Sequence, residues 1–312
     1  MKYIVSIISA LILIISINIG CDSALNIKPE KEIDEDKVFA NPNLASQALG
    51  EAYFAFFEAA TGYAYTIGDF STDIVSTSEN LEVFSNGEVL PDGFYVERIW
   101  TGYFKTINLA NALIKNISQK GTYSEDLMAQ QIAEAKFIRA YCYFNMLILY
   151  GEGALNGDES GLGLPLKLEP FDGYEPKLNI PRSSTAEIYE QIISDLTTAL
   201  PDLPVQHDLE VDTRSRATKG SARALLSRIY LYRGDYGEAI KYAEKVRDNT
   251  LYELASTCLK LFPPHPDRDD LIEMPQEYIF GFPVSISDLY GPNIAGNNNI
   301  AYYAKRTIWA NE

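Results

Sequence analysis

Two histidines, His207 and His265, and three cysteines, Cys21, Cys142 and Cys258, are all the imidazole and thiol that 312 residues offer. A His-rich metal centre or a Ser/His/Asp triad has almost nothing to be assembled from. Carboxylates are plentiful, with 43 Asp and Glu, yet a glycosidase needs one pair at a set separation and no pair is singled out. The run His265-Pro266-Asp267-Arg268-Asp269-Asp270 has the acidic density of a cation loop. It lacks the glycine and the distal glutamate of the helix–loop–helix calcium site, so it reads as a solvated turn. These residues point to binding rather than catalysis, with no cofactor and no metal.

Cys21 is the residue placed for covalent chemistry. Lys2, an apolar run from Ile4 to Ile17 and then Asn18-Ile19-Gly20 precede it, an export signal too short to be a membrane span. Cleavage before Cys21 leaves a thiol to be acylated, as in bacterial lipoproteins, and two or three acyl chains anchor a protein stably. Asn18 departs from the aliphatic residue usual there. Residues 1–20 are then the signal, residues 21–40 an acidic tether expected to run extended, and residues 41–312 the folded part. A disulfide between Cys142 and Cys258 is neither required nor forbidden. The formal charge of −17 opposes nucleic acid or an anionic membrane surface as partner and makes a neutral ligand comfortable, while 46% hydrophobic residues suffice for a sizeable core.

The elements that must position any site are helical. Gln131 to Tyr150 is the central one, because between Phe137 and Tyr150 only Arg139 and Asn145 are clearly polar. A helix apolar all round is buried all round. Gln130, Gln131, Glu134 and Lys136 are expected on its wet side. Arg139 cannot lose its proton and is costly to bury alone, so a carboxylate from another helix is expected beside it. Asn41 as cap, Pro42 at the first helical position and a stripe through Leu44, Ala48, Ala52 and Phe56 predict a helix to about Ala60. The stretch from Gly62 to Gly93 has no clear period and reads as a functional surface loop or an insert. A helix follows over Glu97 to Ile117, with Trp100 read as core.

Gly151 to Arg182 holds six glycines and four prolines, so it is expected to be a long connection laid over the surface. Ser184 with Glu187 is a capping box for the next helix, which Pro201 ends. Thr218–Tyr232 and Glu238–Asp248 form a tight helical hairpin (217–248) resembling a tetratricopeptide unit, in which small residues at 227, 239 and 243 let the helices approach. The fold class is mainly α, built of tetratricopeptide-like hairpins with long irregular surface loops.

Five segments in order carry a family resemblance: Cys21 followed by Leu25-Asn26-Ile27-Lys28-Pro29, the helix Trp100-x-x-Tyr103-x-x-x-Ile107-Asn108-x-x-Asn111, AEAKFIRAYCYFNMLILYG, IPRSSTAEIYEQIISDLTTAL, and RATKGSARALLSRIYLYRGDYGEAIKYAEKV. Together they resemble the SusD/RagB family. The resemblance implies a surface-exposed lipoprotein of the outer membrane that captures polysaccharide or oligosaccharide and delivers it to a SusC-like TonB-dependent transporter. Peptide-binding relatives exist, and a tetratricopeptide-type scaffold for peptides or a protein partner at the cell envelope is the alternative. Members of the family continue beyond the point where this sequence stops, so a C-terminally shortened domain is expected. The segment DLIEMPQEYIFGFPVS resembles the family's mid-chain strand.

Sugars present apolar C–H faces ringed by hydroxyls and are gripped by exposed aromatic planes flanked by polar partners. Buried tyrosines of the helices cannot serve. Two irregular stretches are the expected ligand surface. The first, Asp69 to Arg98, holds Asp69, Phe84, Asn86 and Tyr95. The second, Ser285 to Trp309, holds Tyr290, Asn297, Asn298, Tyr302, Tyr303, Arg306 and Trp309. The resemblance implies the same regions, although packing of Tyr302 and Trp309 against a further segment competes with that reading.

Overall fold

The computed structural model describes residues 35–60, 67–68, 71–72, 82–154, 158–171, 179–257 and 276–281. They form α1 (Glu35–Ala40), α2 (Pro42–Ala59), α3 (Glu82–Ser85), α4 (Phe94–Lys120), α5 (Glu125–Tyr150), α6 (Thr185–Ala199), α7 (Glu210–Ser215), α8 (Lys219–Tyr232) and α9 (Tyr236–Arg247). The chain divides into two units, Met1–Lys37 and Val38–Glu312. The acidic stretch expected to run extended is thus helical from Glu35 onward.

Side-chain caps start α2, α6, α8 and α9, whereas α4 and α5 begin at Gly93 and Ser124 with no side-chain cap bond. The Asn41 side chain accepts from the N–H groups of Asn43 (2.9 Å) and Leu44 (3.3 Å), with Pro42 entering α2 behind it. The Ser184–Glu187 box closes as expected, Ser184 N–H donating to Glu187 Oε2 at 2.7 Å. That hydrogen bond holds the Glu187 carboxyl below its usual range. Thr218 and Ser221 make a second box on α8 that the sequence reading did not name. Between α4 and α5, Gly121 lies where a Cβ would collide with Met128 and the Ile117 carbonyl, so this turn needs glycine.

Consecutive helices pack in pairs, α4 on α5, α5 on α6 and α8 on α9, with α2 laid across α4 and α5. The buried stripe of α2 is Ala45, Leu49, Ala52, Tyr53, Phe56 and Ala59, rotated by one residue from the expected one at its start. The central helix α5 buries Phe137, Ile138, Ala140, Cys142, Tyr143, Met146 and Leu147. In the hairpin, Ser227 Oγ donates to the Ala239 carbonyl at 2.8 Å, the close approach that small residues allow. Ala243 does not join it. It lies on the exposed face of α9, because burial passes from Ala239 to Tyr242 and Val246.

Two expectations are corrected at the core. Gln131 and Glu134, expected on the wet side of α5, are buried, Glu134 with 0% exposure. The carboxylate is tolerated there because Arg216 donates to it twice, Nη2 to Oε1 at 2.7 Å and Nε to Oε2 at 3.0 Å, and Tyr53 Oη adds a third bond at 2.8 Å. Gln131 accepts from Tyr123 and donates to Ser46. The connection after α5 is also more than a surface strap. Leu164 is fully buried, Gly163 N–H donates to the Ser183 carbonyl at 2.7 Å and Ser183 N–H to the Leu164 carbonyl at 2.8 Å. An antiparallel bridge between Leu162 and Ser184 results.

Residues 276–281, part of the segment expected as a strand, are irregular. Phe280 sits among Phe56, Phe137 and Tyr141, with ring centroids 5.1–6.3 Å away. Arg214 clamps this segment, donating to the carbonyls of Tyr278 (2.7 Å) and Leu251 (2.9 Å).

Candidate ligand-binding site

The loop ahead of α4 and the first turn of α4 bring several of the expected ligand residues together. After α3 the chain reverses through Gly87, whose φ of 70 is a left-handed conformation suited to glycine, and Glu88 N–H donates to the Val83 carbonyl at 2.8 Å. Asn86 lies exposed at this turn. Phe84 does not present its ring: α3 folds it inward to 6% exposure, edge-on to Tyr95 at 5.7 Å. That corrects its reading as an open sugar platform. Tyr95 is half-buried between Phe84 and Phe94.

Phe94 is the exposed ring of the cluster, at 56%. The Arg98 guanidinium lies over it, its Cζ 5.3 Å from the ring centroid. The sequence offered a signal for this. Phe94 shares its helical face with Arg98, Thr101 and Lys105, all exposed, so an aromatic ring begins an otherwise polar stripe. Leu90 and Val89 lie exposed beside it in chain order. Such a plane with a neighbouring guanidinium can stack on the C–H face of a sugar and donate to its hydroxyls, and it holds no nucleophile and no proton-transfer pair.

A second aromatic series runs along another side of α4. Tyr150 Oη donates to the Val96 carbonyl at 3.1 Å, its ring meets Trp100 edge-on at 5.2 Å, and Trp100 meets Phe104 at 4.9 Å. Burial pushes the Tyr150 phenol well above its usual pKa, so it remains a neutral donor. Trp100 packs against the core as expected while staying half-buried.

The other expected positions, Cys21, Asp69, Tyr290, Asn297, Asn298, Tyr302, Tyr303, Arg306 and Trp309, lie outside the described residues, as does the run from His265 to Asp270. Among the described residues no group of three His, Cys, Asp or Glu side chains is placed to hold a metal ion. Among them also, no helix is long and apolar enough to cross a membrane.

Comparison with known proteins places this architecture. The family model for SusD-like proteins, described as starch-binding and associating with the outer membrane, matches residues 25–231. A SusD-like protein of Bacteroides ovatus is 25% identical over 255 residues, 77% of this chain and 44% of its own length. One from Formosa agariphila is 24% identical, covering 77% of this chain and 45% of its own. The chain therefore spans less than half the length of these curated relatives. Among solved structures, a SusD superfamily protein of Bacteroides thetaiotaomicron superposes with a TM-score of 0.66 at 25% identity, over 80% of this chain and 55% of that one. A laminarin-binding SusD-like protein superposes at 0.59 with 24% identity, over 70% and 48%.

Proposed function

The chain belongs to the SusD-like family of starch-binding proteins that associate with the outer membrane, and on that premise we propose that it captures polysaccharide or oligosaccharide at the cell surface. In this reading an acylated Cys21 holds it on the outer membrane, and the captured glycan passes to a SusC-like TonB-dependent transporter. It binds without catalysing. The observation that carries the ligand class is the family match itself, and the exposed Phe94 ring with Arg98 over it supplies the kind of surface a sugar needs. The 24% relation to a laminarin-binding protein shows a shared fold, and the proposal for this chain extends to glycans as a class. Native affinity gels cast with a panel of polysaccharides test it: at least one polymer should retard the wild-type protein, and Phe94→Ala should migrate faster in that gel.

One feature favours the alternative of a peptide or protein partner. Tyr236 and Ile240, four residues apart, are both exposed on the outer face of α9, with Leu231 exposed near the end of α8. Affinity for peptides, lost in Ile240→Asp and accompanied by no glycan retention, would favour that reading.

A further inference from the structure

Lys167 is positioned by far more of the molecule than a surface lysine requires. Its N–H donates to Tyr143 Oη at 2.7 Å, and its carbonyl accepts from the same hydroxyl at 2.8 Å and from Asn111 Nδ2 at 3.0 Å. Tyr143 and Asn111 are buried. Asn111 is in turn oriented by Arg139, whose Nη1 donates to Asn111 Oδ1 at 2.8 Å. Four residues on, Asn108 brackets Phe171, accepting from its N–H at 2.8 Å and donating to its carbonyl at 3.0 Å. Side chains of α4 and α5 thus hold residues 167–171 as a neighbouring strand would. The backbone from which the Lys167 side chain springs is thereby fixed. Lys167 Nζ lies 5.5 Å from the centroid of Phe104 and 5.2 Å from that of Phe171.

Glu169, the acid on the same strap, pairs with Lys115 at 2.9 Å, and among the described residues Lys167 has no acidic partner. Arg98 over Phe94 is likewise without one among them. The Phe104 ring beneath Lys167 is continuous with Trp100 and Tyr150, so the ammonium stands at the end of an aromatic series.

Resting on the glycan-binding reading above, we propose that Lys167 is an anion-reading subsite, taking the carboxylate of a uronic acid or a sulfate ester carried by the glycan. An ammonium seated against two rings has less hydration left to give up on meeting such a group. The long-range repulsion from the acidic surface does not prevent this. At physiological ionic strength charges more than roughly 8 Å away are largely screened, and the local cation decides.

The test uses affinity gels cast with polygalacturonate, dextran sulfate or uncharged dextran and laminarin, with melting curves for each variant. At least one acidic polymer should retard the wild type. Lys167→Met, which keeps the packing on the rings, should weaken that retention at least several-fold while leaving any retention by neutral polymers unchanged, and Lys167→Arg should restore it. Which acidic polymer responds separates carboxylate from sulfate recognition. Raising ionic strength from about 0.1 M to about 1 M, which shortens the screening length from roughly 10 Å to roughly 3 Å, should weaken wild-type retention by the acidic polymer. If a neutral polymer retards the wild type and neither acidic one does, or if Lys167→Met matches the wild type on the acidic polymer, the subsite is refuted and the glycan reading stands. Retention by none of the polymers overturns both.

Discussion

Arg139 of α5 and Asp195 of α6 meet as a two-point pair, Nε to Oδ2 at 2.8 Å and Nη2 to Oδ1 at 2.6 Å, with side chains only 8% and 4% exposed. The third arm of the guanidinium reaches Asn111 of α4. One buried cation therefore ties three helices together and, through Asn111, the strap that carries Lys167.

Breaking that pair leaves Asp195 buried without a counter-charge. Arg139→Ala should cost about 3–5 kcal/mol, and the Arg139→Met, Asp195→Leu double variant should recover much of it, because removing both charges removes the desolvation cost as well. Urea unfolding of the three proteins checks this. A single variant melting like the wild type would contradict it.

Buried tyrosines set the alkaline limit of the fold. Burial pushes the phenols of Tyr53, Tyr143 and Tyr150 above the ordinary 10.0, in Tyr53 with the Glu134 carboxylate adding to the effect. Folded chains keep these protons while unfolded chains release them near 10, so stability is intact below that pH and falls as pH rises above it. The urea midpoint should be flat to about pH 9 and decline beyond about pH 10, and Tyr53→Phe should shallow the decline.

The anchor is tested in cells. Cys21→Ser should move the protein from the membrane fraction to the soluble one, and a membrane fraction unchanged by the substitution would refute acylation at this residue.

Much of the scaffold could be read from local rules. Asn41 and Pro42 and the Ser184–Glu187 box act within a few residues and appear where expected, and the run after Phe137 is a buried helix to Leu147, while Leu149 near its end is exposed. That Arg139 needed an acid followed from the cost of burying its charge, but that the acid is Asp195, 56 residues away, is a property of the packed helices. Glu134 was misread for the same reason in reverse. Its polarity marked a wet face until Arg216, 82 residues on, supplied the charge that lets it be buried. At the candidate site, Phe84 and Tyr95 were expected as open aromatics because they lie in a stretch without a clear period, and Phe84 is instead buried. Which ring faces water depended on α3, a four-residue helix that no period reveals, and Phe94 was missed although its place on a polar stripe was visible.

Glycan capture at the start of α4 is tested most directly by the mobility of wild type, Phe94→Ala and Arg98→Ala in affinity gels of a polymer that retards the wild type. Both variants should keep the wild-type melting temperature, since Phe94 is mostly exposed. Phe94→Ala should bind about tenfold more weakly, equivalent to about 1.4 kcal/mol, and Arg98→Ala should lose a smaller share. Variants that migrate with the wild type in every gel that retards it would place glycan binding elsewhere, and a wild type retarded by no polymer would contradict glycan binding by this chain.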